Sequence, residues 1–195
     1  MPKEVLFEYL KLSGEADKRK LRFVLQSAPL LKGLKMSCIL VVSSDHLKAL
    51  KDELAMTQIE LAELYVNGNR HTILLYRRNQ LEDYIKEEQI HSFLTNYGYC
   101  GNDWDAHLKL LAKRVSYFNK QKGIFPHEIG IFLGYPLEDV EGFIENAGQN
   151  FLMNGYWKVY SDRKMAQARF KKFDEAKDIA AREVFAGKQL CEIVG

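Results

Sequence analysis

The sequence predicts an α+β fold, in which a small, mainly antiparallel sheet of three or four strands is surrounded by a majority of helices. Three observations lead to this class. The run Ser37–Ser43 is short and apolar without polar alternation, which is typical of a buried strand. Two further β-favouring runs, 59–66 and 71–77, flank an Asn-Gly pair, and this arrangement predicts a hairpin. Beyond residue 78 the apolar residues recur at helical spacing instead.

The elements around the first strand are predicted to be short helices. Apolar spacing indicates a helix over 4–12 and a second over 21–25, which ends before Pro29 because proline does not continue a helix. After the strand, Ser44 and Asp45 are suited to cap a helix that extends to about residue 56.

The second half is predicted to be helical apart from one strand. Helices are expected over 81–86, 89–97, 103–120, 127–133 and 136–144, with proline near the start of the last two. Residues 156–160 alternate well enough for a strand that could join the sheet. Asp162 then caps a final helix to about residue 186, and Gly187 suits its end. The residues predicted to face inward on this helix are Met165, Phe173, Ala176, Ala180 and Val184.

Length and composition fit a single domain over 1–195, with the sheet in about 1–78 and the helical half in about 79–195. The net charge of +2 argues against a nucleic-acid binder held by charge. Three cysteines without C-x-x-C spacing fit a reducing compartment. The first residues lack a signal peptide's apolar run, and the longest strongly apolar stretch, 38–42, is too short to cross a bilayer. We therefore expect a cytoplasmic protein without membrane contact.

His127 and Glu128 are the candidate catalytic residues. A zinc protease would need His-Glu-x-x-His, but residue 131 is isoleucine, and one histidine with scattered carboxylates predicts no metal site. An enzyme could use His127 as general acid/base with Glu128 orienting it. The alternative is structural: Glu128 favours the positive end of a helix dipole, and His127 satisfies a neighbouring polar group.

The candidate ligand-binding residues are Tyr135, Tyr156, Lys158 and Tyr160. Alternation in a strand places the last three on one face, and Trp157 with Val159 on the other, where they would pack in the core. A surface of tyrosine rings with one ammonium suits a planar or phosphorylated ligand.

Residues 127–145 also have the pattern of a helix-turn-helix, but the second helix would carry four carboxylates and no basic residue, which argues against contact with DNA phosphates. We interpret this segment as a packing unit in which Gly130 and Gly142 let helices approach closely. The basic residues of the final helix alternate with acidic ones, and we interpret them as a solvated face with i,i+4 pairs rather than a phosphate site.

Two sequence blocks, FPHEIGIFLGYPLEDVEGFIEN at 125–146 and GYWKVY at 155–160, resemble a family of uncharacterised bacterial domains found in anaerobic Gram-positive bacteria. The segment 28–35, APLLKGLK, is similar to a third block of that family. Members often place His-Cys before this segment, where the chain has Gln26-Ser27, and some have cysteine in place of Asn154. The resemblance implies no reaction. It does imply an association with small redox flavoproteins such as flavodoxins.

Together these observations favour a cytosolic accessory protein that binds a small molecule or a protein partner, and the family resemblance implies a link to flavodoxin-type redox metabolism. The alternative is an enzyme that uses His127 with Glu128, and a third candidate is a DNA-binding regulator using the helix-turn-helix-like segment 127–145. The sequence does not identify a cofactor, a reaction or an oligomeric state.

Overall fold

The computed structural model describes residues 9, 11–121 and 123–195, so the predicted helix over 4–12 lies mostly outside the described residues. The elements, in chain order, are α1 (Glu15–Leu31), β1 (Ser37–Ser43), α2 (Ser44–Leu54), β2 (Glu60–Asn67), β3 (Arg70–Tyr76), α3 (Arg78–Ile85), α4 (Glu88–Thr95), α5 (Trp104–Gln121), α6 (Ile129–Phe132), α7 (Leu137–Glu145), β4 (Met153–Asn154), β5 (Lys158–Val159), α8 (Arg163–Phe185) and α9 (Leu190–Ile193). The predicted α+β class is confirmed.

The main sheet is antiparallel, with the strand order β1-β3-β2. The predicted hairpin is β2 and β3, and its tight turn is Gly68-Asn69. Gly68 has a φ of 56° at the first central position of this turn, where a type II′ turn favours glycine. The first strand pairs with β3 along its whole length, from Ser37 opposite Tyr76 to Ser43 opposite Arg70.

The two faces of β3 serve two different cores, because successive side chains of a strand point to opposite sides. Ile73 and Leu75 lie in a core formed with α1, α2 and the second half of α8. Leu74 and Tyr76 lie in a second core formed with helices α3 to α7. The sheet is therefore covered on both faces at this strand.

Helix α1 extends beyond the predicted 21–25 at both ends, and Pro29 lies inside it rather than after it. Proline removes one backbone donor, but here it occupies the last turn, and its neighbours Ala28, Leu30 and Leu31 are all fully buried. The carbonyl of Pro29 accepts hydrogen bonds from the Leu34 and Lys35 amides, at 2.8 and 3.0 Å. Tertiary packing thus outweighs the local preference against helix.

A third apolar cluster packs strand β5 and the residue before it against α8. The strand predicted over 156–160 is only β5, and it pairs with β4 in a separate two-stranded sheet instead of joining the main one. Trp157 and Val159 are buried there against Phe170 and Phe173, as predicted for the inner face. The helical half accordingly contains a small sheet of its own.

The final helix confirms most of its predicted features. Asp162 accepts a hydrogen bond from the Met165 amide at 2.9 Å, and Gly187 follows the helix with a φ of 80°. Met165 was predicted to face inward, but it is 44% exposed and its neighbour Ala166 is buried instead. Among the described residues, none of the helices combines the length and apolarity needed to cross a membrane.

Candidate functional site

The segment that carries the densest sequence pattern folds into a close-packed corner between α6 and α7. A Cβ added at Gly130 would lie 2.8 Å from Val140 Cγ2, so glycine is needed for the two helices to meet. Gly142 is similarly close to another element, since an added Cβ would lie 2.6 Å from Tyr160 Cβ. Both glycines have the packing role predicted for them, although Gly142 contacts the segment after β5 rather than a helix.

Asp139 ties this corner to the second sheet. Its side chain is 3% exposed, and its Oδ2 accepts a hydrogen bond from Trp157 Nε1 at 2.6 Å. Its Oδ1 accepts from the amides of Tyr160 and Ser161 at 2.7 and 2.8 Å, and from the Ser161 hydroxyl at 2.8 Å. We call this group the Asp139 hub. Four donors converging on one buried carboxylate fix the positions of α7 and β5 relative to each other.

A cavity of about 280 Å³ opens beside the Asp139 hub. We call it the aromatic cavity, because four of its walls are rings: Phe125, Tyr135, Phe143 and Trp157. The Tyr135 and Trp157 rings stack against each other, with centroids 5.2 Å apart. Among the residues that line the cavity, the polar ones are His127, Asp139 and Lys158, together with the Tyr135 hydroxyl.

His127 lies between two phenyl rings of this cavity. Its ring centroid is 5.3 Å from that of Phe125 and 5.3 Å from that of Phe143. The Nδ1 atom is buried and has no hydrogen-bond partner within the described residues. Since buried polar atoms in proteins nearly always have a partner, this nitrogen has unused hydrogen-bonding capacity.

Lys158 and Tyr135 border the same cavity, and each already has a partner. The Lys158 ammonium donates a hydrogen bond to the Gly148 carbonyl at 2.6 Å and lies 4.9 Å from the centroid of the Phe151 ring. The Tyr135 hydroxyl donates to the Tyr156 carbonyl at 3.3 Å, and burial raises the pKa of this phenol. An ammonium has three donors, so Lys158 can contact both the carbonyl and a ligand.

Glu128 does not orient His127. Its side chain is fully buried, and its carboxylate accepts hydrogen bonds from Arg114 at 2.5 Å and from the Tyr99 hydroxyl at 3.1 Å. The hydrogen bond to Glu128 also raises the pKa of Arg114. The acid/base pair considered from the sequence is thus divided: His127 lines the cavity, whereas Glu128 belongs to an ion pair that anchors α5. The helix-dipole interpretation is also incomplete, because α6 is only four residues long and the carboxylate has a cationic partner.

Two of the four candidate ligand-binding residues lie away from the aromatic cavity. The Tyr156 hydroxyl donates a hydrogen bond to Asp174 of α8 at 2.8 Å, and its ring packs on Phe173. Tyr160 packs on Gly142, and its buried hydroxyl has no hydrogen-bond partner in the described part of the chain. Because β5 is only two residues long, strand alternation does not hold Tyr156, Lys158 and Tyr160 on one surface.

The family model described as "Protein of unknown function (DUF3793)" matches residues 23–194. The chain belongs to this family. No curated protein and no solved structure matches it. The match spans every residue that lines the aromatic cavity, and the description of the DUF3793 family gives no activity.

A second polar group, formed by Ser44, His71 and Glu63, was not predicted from the sequence. It lies outside the sequence blocks that carry the family resemblance. The Ser44 hydroxyl lies 2.8 Å from His71 Nε2, and His71 Nδ1 lies 2.6 Å from the Glu63 carboxylate. Ser44 begins α2, whereas the other two residues lie on β2 and β3. The pairing of β2 with β3 brings Glu63 near His71, and the pairing of β1 with β3 places Ser44 beside them. No local sequence pattern indicates this arrangement. Among the described residues there is no group of three or more metal-ligating side chains placed to hold a metal ion.

Proposed function

We propose that the protein binds a small, mainly apolar molecule with one or two rings in the aromatic cavity. The observation that carries this proposal is the concave cavity lined by aromatic rings, with the side chains of His127 and Lys158 among its few polar groups. Ligand sites are typically apolar concavities with a few fixed polar groups. At about 280 Å³, the cavity lies just below the usual range of roughly 300–1,000 Å³, which limits the ligand to a small one.

The polar groups of the cavity define what the ligand must carry. The imidazole of His127 can supply a hydrogen bond, as donor or acceptor according to the tautomer. The ammonium of Lys158 favours an acceptor or an anionic group at the other end. The rings of Tyr135 and Trp157 favour a planar body between these two groups. These polar groups and rings support an accessory protein that binds a small molecule. The protein-partner form and the link to flavodoxin-type redox metabolism remain predictions from the sequence.

The test is saturation-transfer NMR with phenol, benzoate and 2-naphthol as probes. Saturation transfer from the protein to at least one probe is expected, and His127→Phe should strongly reduce it, because the substitution removes the imidazole nitrogens and narrows the cavity. His91→Phe is the matched control, because His91 lies on α4 and does not line this cavity. If the probes bind equally well to the His127→Phe protein, the ligand does not occupy this cavity and the proposal is wrong.

A second candidate function rests on the Ser44–His71–Glu63 group. The two distances, 2.8 Å from Ser44 Oγ to His71 Nε2 and 2.6 Å from His71 Nδ1 to Glu63, follow the nucleophile–base–carboxylate order of serine hydrolases. In that reaction the Ser44 oxygen would attack an ester carbonyl while its proton passes to His71. The alcohol would leave with that proton, and water would then release the acid from Ser44.

An alkyl fluorophosphonate and intact-mass analysis test this second candidate. Phosphonylation of Ser44, with loss of fluoride, is expected in the wild-type protein and in Ser43→Ala, and should be absent in Ser44→Ala. Ser43 is a useful control because it is the adjacent hydroxyl and caps α2. A wild-type protein whose mass does not change rules this candidate out.

A further inference from the structure

A second cavity, of about 340 Å³, adjoins the aromatic one and shares Leu133 and Trp157 with it. We call it the cationic cavity, because three basic residues line it: Lys35, Arg169 and Lys172. Lys35 belongs to the loop between α1 and β1, whereas the other two lie one turn apart on α8. The fold therefore brings positive charges from distant parts of the chain to one concave surface.

None of the three cations has an ion pair or a hydrogen bond to its side chain within the described residues. The Lys35 ammonium lies 5.1 Å from the centroid of the Tyr135 ring. None of the residues that line the cavity is acidic. Burial lowers the pKa of Lys35, which shows that its surroundings penalise the charged amine.

Other basic residues nearby do have carboxylate partners. Glu183, farther along α8, pairs with Lys32 and Lys188, at 2.5 and 3.0 Å. Lys177 lies 3.9 Å from Asp174 on the same helix. On α8 itself the Lys177–Asp174 pair has i,i+3 spacing rather than the predicted i,i+4 spacing, and it includes neither Arg169 nor Lys172. Three like charges around one concavity repel one another, and a bound anion would remove this cost.

We propose that the cationic cavity binds the phosphate group of a small phosphorylated molecule. Arg169 supplies the planar fork of donors that matches two phosphate oxygens, and the two lysines add charge. The dianionic phosphate would also favour the protonated form of Lys35, reversing the effect of burial. The site is distinct from the proposed function above, because it requires neither His127 nor Lys158.

Isothermal titration calorimetry at constant ionic strength, with phenyl phosphate and inorganic phosphate as probes, tests the proposal. The wild-type protein is expected to bind one phenyl phosphate, more tightly than inorganic phosphate. Lys172→Met should weaken phenyl phosphate binding roughly tenfold, because it removes a charge-assisted hydrogen bond. Arg169→Lys should weaken it by a similar factor, because lysine keeps the charge but lacks the planar fork of donors.

Lys171→Met is the matched control, because Lys171 is the adjacent residue, is also exposed and does not line the cavity. Its effect should be less than twofold. His127→Phe should leave inorganic phosphate binding unchanged, so that failure of the aromatic-cavity proposal and failure of this one can be told apart. All three α8 positions are exposed, so the substituted proteins should fold.

Three outcomes would overturn the proposal. One is the absence of saturable binding of phenyl phosphate. Another is inorganic phosphate that binds as tightly as phenyl phosphate, because the organic part is then not recognised. The third is a result in which Lys171→Met and Lys172→Met weaken phenyl phosphate binding equally and a single-stranded oligonucleotide displaces phenyl phosphate. The basic face of α8 would then be an extended nucleic-acid surface rather than a site for one phosphate.

Discussion

The Asp139 hub and the aromatic cavity share a wall but differ in how their polar groups are used. At the hub, four donors satisfy both oxygens of one carboxylate. In the cavity, His127 Nδ1 has no partner among the described residues. The Asp139 carboxylate, which holds the corner together, is saturated, whereas the His127 side chain that lines the cavity retains bonding capacity. The comparison therefore assigns Asp139 to folding and leaves His127 available for a ligand.

The largest expected effect comes from removing the hub. Asp139→Ala leaves the Trp157 indole and two backbone amides without their acceptor, so the free energy of unfolding should fall by roughly 3–5 kcal/mol. Chemical denaturation measures it. Glu138→Ala, at the exposed neighbouring carboxylate, should change the free energy by less than about 0.5 kcal/mol. If both substitutions have similar effects, the hub does not stabilise the corner.

A smaller loss is expected at the Glu128–Arg114 pair. Glu128→Gln keeps the side-chain shape but leaves Arg114 facing a neutral amide, which should cost about 2 kcal/mol in the free energy of unfolding. Binding of the probes in the aromatic cavity should be unaffected, because Glu128 faces away from His127. Loss of probe binding in the folded Glu128→Gln protein would contradict the division of these two neighbours.

Gly130→Ala should lower the free energy of unfolding by about 1–2 kcal/mol. The new methyl group would lie 2.8 Å from Val140 Cγ2, although the higher helix propensity of alanine offsets part of this cost. Val140→Ala in the same protein should restore part of the loss, because it removes the opposing methyl groups. A double-mutant cycle measures this coupling, and a coupling energy of zero would show that the two residues do not clash.

The smallest effect is a change in pH dependence at His107, which is buried in the second core. Burial lowers its pKa from the ordinary value of 6.5, so the unfolded chain takes up a proton more readily than the folded one. Its contribution is therefore fully present above pH 6.5 and is lost as the pH falls towards the folded-state pKa. Thermal unfolding between about pH 7 and pH 5 should show a shallower loss of stability in His107→Leu. An unchanged slope would contradict the assignment.

Local signals in the sequence predicted much of the fold. The apolar run of β1 and the Asn-Gly turn between β2 and β3 depend on neighbouring residues, and both were predicted correctly. Pro29 was misjudged because its tolerance in α1 depends on the burial of the last turn, which is a tertiary property. Met165 was predicted to be buried, but its neighbour Ala166 is buried instead. Apolar spacing does not fix the rotation of a helix about its axis to within one residue.

Of the candidate site residues, His127, Tyr135 and Lys158 line one cavity, whereas Glu128 pairs with Arg114 and the Tyr156 hydroxyl donates to Asp174 of α8. The cationic cavity was missed because Lys35 is more than 130 residues from Arg169 and Lys172 in the chain. Sequence spacing describes which residues share an element, and it does not describe which elements meet.

Cys38, on β1, gives the protein an internal reporter of unfolding. It is 7% exposed, and burial raises the pKa of its thiol to about 12, whereas Cys100 and Cys191 are exposed. A thiol reagent at neutral pH should therefore modify two cysteines quickly, and the third only when β1 separates from its core. The rate of that last modification gives the opening frequency of the main sheet without any engineered label.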